Sequence, residues 1–289
     1  MLELFSQIKY YTEEFRKIFL IDSHGPDEVR RPDTEALELL KPFIEVLKKY
    51  FRAEVYGIEN IPETKALIVG NHNAGITFME PMFMSLEFYN KRPNDTLHFL
   101  AHDAMVNIPI LKNLLIKTGA IRASHETAHK AFDMGHKVVV FPGGNYEAFR
   151  TFKDRYKVDF GGKKGFIKLA LKAGVPIVPV GNAGGHETFF VLSPGHKLAQ
   201  ITGTKKFLRS ESFPIFLGLP WIIGLGPIFH LPLPAKLQVK VGKPIYLDNY
   251  KPLDAENPKV LQEIYDKVIS EVQRLCDDIN SKRMLPVIG

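Results

Sequence analysis

The sequence has very little cysteine: Cys276 stands alone among 289 residues. It has no partner for an internal disulfide or for a zinc cluster of the usual spacing. No apolar run of the ~18 residues that a membrane-spanning helix requires has a composition compatible with a continuous helix, and the first residues lack the basic-then-apolar order of a signal peptide. A protein made and kept inside the cell is expected, with a place on a membrane surface left open. Gly-x-Ser-x-Gly, the nucleophile elbow of serine hydrolases, is missing, as is the dinucleotide fingerprint. A metal is not expected either. His125 and His129 in HETAH have no third ligand in view, and that stretch reads as a helix start with Ser124 as N-cap.

What is present begins with charge. A net +6 and a pI near 9.1 favour an anionic partner: a nucleic acid, an anionic lipid surface or a phosphate-bearing substrate. Nucleic acid ranks last, because the chain has no aromatic-and-basic strand motif, no zinc spacing and no long basic helix. The 45% apolar content suffices for a full core.

Two regions divide the chain, an N-terminal helical element at 1–52 and an α/β domain at 53–289. In residues 2–20, Leu4, Phe5, Ile8, Tyr11, Phe15, Ile18 and Phe19 recur at helical spacing between Lys9, Arg16 and Lys17. A second helix is predicted over 34–51, with Asp33 as N-cap and Pro42 as a kink. The pair reads either as a packed hairpin or as a membrane-docking element.

From Glu54 onward, short apolar runs (AEVYGI, ALIVG, LHFLA, KVVVF, VPIVPVG, KLQVKVGKPI) alternate with helical stretches near 80–90, 108–118, 125–135, 163–173 and 258–280. That rhythm predicts an α/β fold with a mixed, largely parallel sheet covered by helices. Residues 213–235 break it, being charge-free unless His230 is protonated and interrupted by prolines and glycines. No continuous helix forms there, so the segment is expected as a buried loop or as a contact for bilayer or acyl chain.

Chemistry gathers at strand ends. His72 follows ALIVG, the position where open α/β sheets hold ligands, and an imidazole is a suitable general base near neutral pH. KVVVF runs into PGGNYEAFR, whose Gly143 and Gly144 free backbone amides to approach an oxyanion. VPIVPVG ends on a similar turn, so one shared rim is predicted.

These blocks, in order, resemble a known family. NH at 71–72, GAIRAS at 119–124, FPGGNYEA at 141–148 and VPIVPVG at 175–181 are similar to the four blocks of the glycerolipid and lysophospholipid acyltransferases. YGIENIP, IPILKNLLIKTGA, KKGFIKLALKAG and VGKPIYL add to the likeness, which spans roughly residues 50–248. It implies acyl transfer from a thioester to a lipid hydroxyl, with acyl-CoA or acyl carrier protein as co-substrate, no cofactor, and a peripheral place on the cytoplasmic face of a membrane.

The departures from the pattern carry information. Thr77 stands where the family places an aspartate, leaving Glu80 as the proposed orienting carboxylate and Asp103 as a further candidate. The third block reads Gly143, Gly144, Asn145, Tyr146 and Glu147 in place of the common Glu-Gly-Thr-Arg, and the second keeps Arg122 but has His125 where a phosphate-binding arginine is expected. Both arginine forks are missing. FPGG-x-x-E-A resembles the branch of diacylglycerol acyltransferases and phytyl ester synthases, which moves the expected acceptor toward a less charged lipid.

The catalytic set expected is therefore His72, Glu80, Gly143 and Gly144. Asn71, Thr77, Arg122, Asn145, Tyr146, Glu147, Arg150, Lys163 and Lys164 are substrate-binding candidates, with Lys153 and Arg155 close by. Cys276 lies far along the chain and offers no nucleophile. A catalytically impaired lipid-binding protein of the same fold is the alternative reading.

Overall fold

The computed structural model describes residues 12–20, 23–72, 79–204, 211–218, 221–226, 228 and 231–283. Its strands are β1 (Glu54–Tyr56), β2 (Ala66–Gly70), β3 (Leu97–Ala101), β4 (Ala120–Arg122), β5 (Lys137–Val140), β6 (Ile177–Ala183), β7 (Phe190–Ser193), β8 (Ile215–Gly218), β9 (Ile222–Leu225) and β10 (Gln238–Val241). The longer helices are α1 (Thr34–Tyr50), α2 (Met79–Lys91), α3 (Pro109–Lys117), α4 (His125–Asp133), α5 (Gly165–Ala173) and α6 (Pro258–Asn280).

Seven strands form one sheet in the order β1-β10-β6-β2-β5-β3-β4. Pairing is parallel from β6 across to β4, while β10 runs antiparallel to β6 and carries β1 parallel to itself at the edge. The mixed, largely parallel sheet read from the sequence is what forms. β2 sits at its centre, and every residue of ALIVG is buried because helices cover both faces. Leu67, Val69, Val138 and Ile177 face a core shared with α4, α5 and α6. Ile68, Val139, Val178 and Val180 face the opposite core, which Met84 and Phe88 of α2 complete.

The N-terminal segment is held to this body. Asp33 caps α1 by accepting from Glu35 N–H (2.9 Å) and Ala36 N–H (3.2 Å), and Pro42 lies inside the helix without ending it. Residues 12–20 are helical, and Ile18 packs with Ala36 and Leu40. Residues 1–11, the rest of the first predicted helix, lie outside the described residues. Among the described residues, no helix is long and apolar enough to cross a membrane.

The largest departure from the sequence reading is at 213–235. Instead of a loop, the segment supplies β8 and β9, which join β7 in a second, three-stranded antiparallel sheet. Prolines and glycines mask the signal. Gly224 is required because a Cβ there would lie 2.1 Å from the Phe216 ring on the paired strand. Phe216, Val191 and Phe189 face inward and pack on Ala148 and Phe149, directly beside the loop after β5.

Candidate active site

β2, β5 and β6 are neighbours, so their C-terminal ends meet at one rim near the sheet's centre. Two buried asparagines join the first and third of these ends. Asn71 Nδ2 donates to Asn182 O (2.9 Å), Asn182 N–H donates to Asn71 Oδ1 (2.7 Å), and Asn182 Nδ2 donates to Asn71 O (2.8 Å). This exchange satisfies polar groups that would otherwise be stranded in the core. Asn71 is thus a fixture of the sheet, and its side chain is used up there. The Cys276 thiol reaches the same pair at 3.4 Å from Asn71 Oδ1, and burial pushes it up to about 12. It is adjacent in space, against the distance in sequence, yet it stays a neutral thiol.

His72 follows immediately, partly exposed, with its ring 5.6 Å from that of Phe141. Its peptide is gripped from both sides. His72 N–H donates to Glu147 Oε2 (2.8 Å), and His72 O accepts from Arg150 Nη2 (3.2 Å). Glu147 and Arg150 are themselves 3.4 Å apart, closing a ring around the histidine's backbone. Glu147 of the third block and Arg150 just beyond it therefore fix the backbone from which the first block's imidazole projects.

Glu147 is wholly buried, and burial raises its carboxyl to about 7 against the pull of Arg150. Its second oxygen accepts from Asp159 N–H at 3.1 Å. Expected to touch substrate, it instead faces inward and shapes the rim. Arg150 is committed likewise, since its Nε donates to His186 Nε2 at 3.0 Å. That contact makes Nδ1 the protonated nitrogen of a neutral His186, whose ring burial holds well below the usual histidine range.

Gly143 must be glycine, because a Cβ would collide with the Glu147 side chain at 2.2 Å. Gly144 takes φ +51° and spends its N–H on Phe141 O (3.2 Å), so this amide closes a turn and is not turned toward an oxyanion. Lys163 Nζ donates to Gly143 O at 3.1 Å, which brings a cation to the glycine turn. Asn145 begins the short helical turn Asn145–Ala148. Tyr146 is half exposed and donates to Asp159 Oδ2 (3.3 Å), and the Lys164 ammonium lies over Tyr265 at 5.9 Å.

Arg122 is engaged elsewhere. It pairs with Asp27 (2.7 Å) and with Asp103, so Asp103 is that arginine's partner at the end of β4. Glu80, buried in the first turn of α2, lines a narrow crevice with Gly70, Met84, Phe141 and Asn182. Phe141 is common to this crevice and to the His72 ring contact, which puts Glu80 on the imidazole's side of the sheet. Thr77 and the turn at 73–75 lie outside the described residues.

Sequence reasoning missed the support behind the rim. β6 runs on to Ala183, two residues past the expected turn, which falls at Gly184 with φ +97°. His186 and Glu187 follow, both buried. Glu187 pairs with Arg283, accepts from Tyr156 O–H (3.0 Å) and lies 3.8 Å from Arg155, whose guanidinium stacks over Phe152 at 4.2 Å. The run GNAGGHET, polar residues directly after an apolar strand, was the available signal.

A family model described as Acyltransferase matches residues 52–182, which include β2, β5, all of β6 but its last residue, and the ring that Glu147 and Arg150 make around His72. An uncharacterised protein of Mycobacterium tuberculosis is 32% identical over 258 residues, covering 89% of this chain and 67% of its own length. The chain belongs to the acyltransferase family. A mouse protein named DGAT1/2-independent enzyme synthesizing storage lipids is 30% identical over 225 residues, 78% of this acyltransferase-family chain and 59% of that protein. The crystal structure of the 1-acyl-sn-glycerophosphate (LPA) acyltransferase PlsC from Thermotoga maritima superposes with a TM-score of 0.51 at 18% identity, covering 87% of this chain and 82% of that one, a likeness of fold. This chain spans about three-fifths to two-thirds of the length of these curated relatives.

Proposed function

We propose that this chain is a membrane-associated O-acyltransferase that moves a fatty acyl group from acyl-CoA or acyl carrier protein to a lipid hydroxyl. The observation that carries this is the fixed His72 peptide at the rim of a chain in the acyltransferase family. In the proposed reaction the acceptor hydroxyl gives its proton to His72 as its oxygen bonds to the thioester carbonyl carbon. Collapse of the tetrahedral intermediate breaks the carbon–sulfur bond, and the departing thiolate takes the proton back from the imidazole. Glu80 serves as the orienting carboxylate, and backbone amides of the glycine turn other than that of Gly144, with Lys163 beside them, stabilise the oxyanion. No acyl-enzyme is needed, and the buried Cys276 thiol is unsuited to form one.

A weakly charged acceptor, in the class of diacylglycerol or monoacylglycerol, fits the arginines best. Arg122 is bound to two aspartates and Arg150 to the His72 loop, so neither is presented as a fork for a phosphate monoester. The name of the mouse relative, an enzyme of storage-lipid synthesis, supports the same class. Thiol release from acyl-CoA and from acyl carrier protein, measured with diacylglycerol, monoacylglycerol and lysophosphatidate as acceptors, tests the reading. Turnover that favours the neutral acceptors and disappears in His72→Ala is expected. Lipid binding without turnover would favour the impaired-enzyme reading that Thr77 raises.

A further inference from the structure

The second sheet breaks the usual rule for antiparallel sheets with one covered face, which is apolar inside and polar outside. Here Phe216, Val191 and Gly224 face inward, so the alternate positions face out. Those positions are Leu192, Leu217, Ile223 and Leu225, all exposed, with Ile223 at 61%. Trp221 in the turn before β9 and Ile222 at its start add to this, the latter 73% exposed and in a left-handed conformation (φ +62°) that β-branched residues rarely adopt. An uncharged face this apolar is not built for water.

A second exposed apolar surface adjoins it. The last turns of α1 expose Pro42, Phe43, Val46, Lys49 and Tyr50, with Glu45 only partly exposed among them. Tyr50 O–H donates to Pro232 O (3.0 Å) and Arg52 Nη2 to Pro234 O (3.1 Å), tying this end of α1 to the chain leaving the small sheet. Apolar and aromatic side chains, flanked by Lys49 and Arg52, make up one margin of the molecule. From Ser212 to Ala235 the sequence has no aspartate or glutamate.

We infer that the outer face of the β7-β8-β9 sheet, together with the exposed face of α1, rests on the interface of an anionic phospholipid bilayer. The composition matches that interface, with an apolar surface for the acyl boundary, a tryptophan and a tyrosine at headgroup level, and cations for lipid phosphates. Charge decides against a second copy of the chain, since a two-fold contact would set two cationic margins face to face on a protein of net charge +6. The inner face of the same sheet packs on Ala148 and Phe149, in the loop that holds His72, so docking this way leaves one sheet between that loop and the lipid. The inference deepens the acyltransferase reading and rests on it for the nature of the partner.

Trp221 is the only tryptophan, which makes the full chain its own probe. Vesicles of phosphatidylcholine alone and of phosphatidylcholine mixed with phosphatidylglycerol serve in co-sedimentation, and acyl-brominated lipids serve as quenchers. Expected are preferential binding to the mixed vesicles, a blue shift of Trp221 emission and quenching by the brominated chains. The double substitution Leu217→Asn with Ile223→Asn should weaken binding by about tenfold or more. Absent binding, unchanged Trp221 emission in the vesicle-bound protein, or binding by a folded double variant equal to the parent would each overturn the inference. So would self-association without lipid that the double variant abolishes, because a second copy would then cover the face. If the double variant does not fold, emission and quenching in the parent decide. The readout is binding and not turnover, so this inference and the transfer reaction fail separately.

Discussion

At the scale of single residues, the site is organised by side chains that hold a backbone. Glu147 is buried and Arg150 is spent on His72 O and His186, and between them they set where the His72 imidazole begins. Loss of the proposed base should be severe: His72→Ala is expected to lower acyl transfer by ~10²- to 10⁴-fold with the fold intact, checked by thiol release and by circular dichroism. Glu147→Gln keeps size but leaves one oxygen to accept for two backbone N–H groups. It should cut kcat by about a hundredfold while KM stays close to the parent's, because a displaced base slows the reaction without loosening acceptor binding. A change confined to KM would instead make Glu147 a substrate contact.

Between elements, the decisive link is the Asn71–Asn182 exchange, which locks β2 to β6 where both strands end. Asn182→Ala removes the donor to Asn71 O and the contacts that fix the asparagine pair, leaving buried polar groups unmatched. It should cost about 2–3 kcal/mol in urea denaturation. In the small sheet, Gly224→Ala drives a Cβ into the Phe216 ring. A loss of about 1–3 kcal/mol is expected by the same measurement, since a close-packed ring has no room to yield. If Gly224→Ala is neutral, the pairing of β8 with β9 is looser than the register indicates.

For the whole molecule, two buried groups at opposite ends of the sheet give stability opposing pH dependences. Glu147 titrates at 4.5 when unfolded and near 7 when folded, so its contribution declines as pH rises through that window. His98 sits at the other end, where Nδ1 meets Gly119 O (3.1 Å) and Nε2 meets His136 Nδ1 (3.0 Å), and burial lowers it to about 4 from 6.5. Its unfolded form takes up a proton that the folded form refuses, so its contribution is lost as pH falls from 6.5 toward 4. The two slopes offset one another over the range they share. Removing either exposes the other. Relative to the parent, Glu147→Gln should gain about 3 kcal/mol as pH rises from 4.5 to 7. His98→Gln should gain by a similar amount as pH falls from 6.5 to 4, with denaturation across pH as the check for both.

Much of this protein is legible in the order of its residues. ALIVG, KVVV and the caps at Asp33 and Ser124 mark elements through local rules of burial, periodicity and hydrogen bonding, and the structure forms them there. His72 is legible for the same reason, because a polar residue directly after a buried strand lies at the sheet's rim. The sequence by itself thus determined the α/β architecture and the rim on which the imidazole sits. Only the tertiary structure decided which charged residues turn inward. Arg150 and Glu147 read as surface contacts until β2 and β5 lie side by side, and His186 and Glu187 have no local sign of the arginines that meet them. The outward apolar face of β8 and β9 was hidden for a related reason: prolines and glycines conceal alternation along the chain, and pairing across strands restores it.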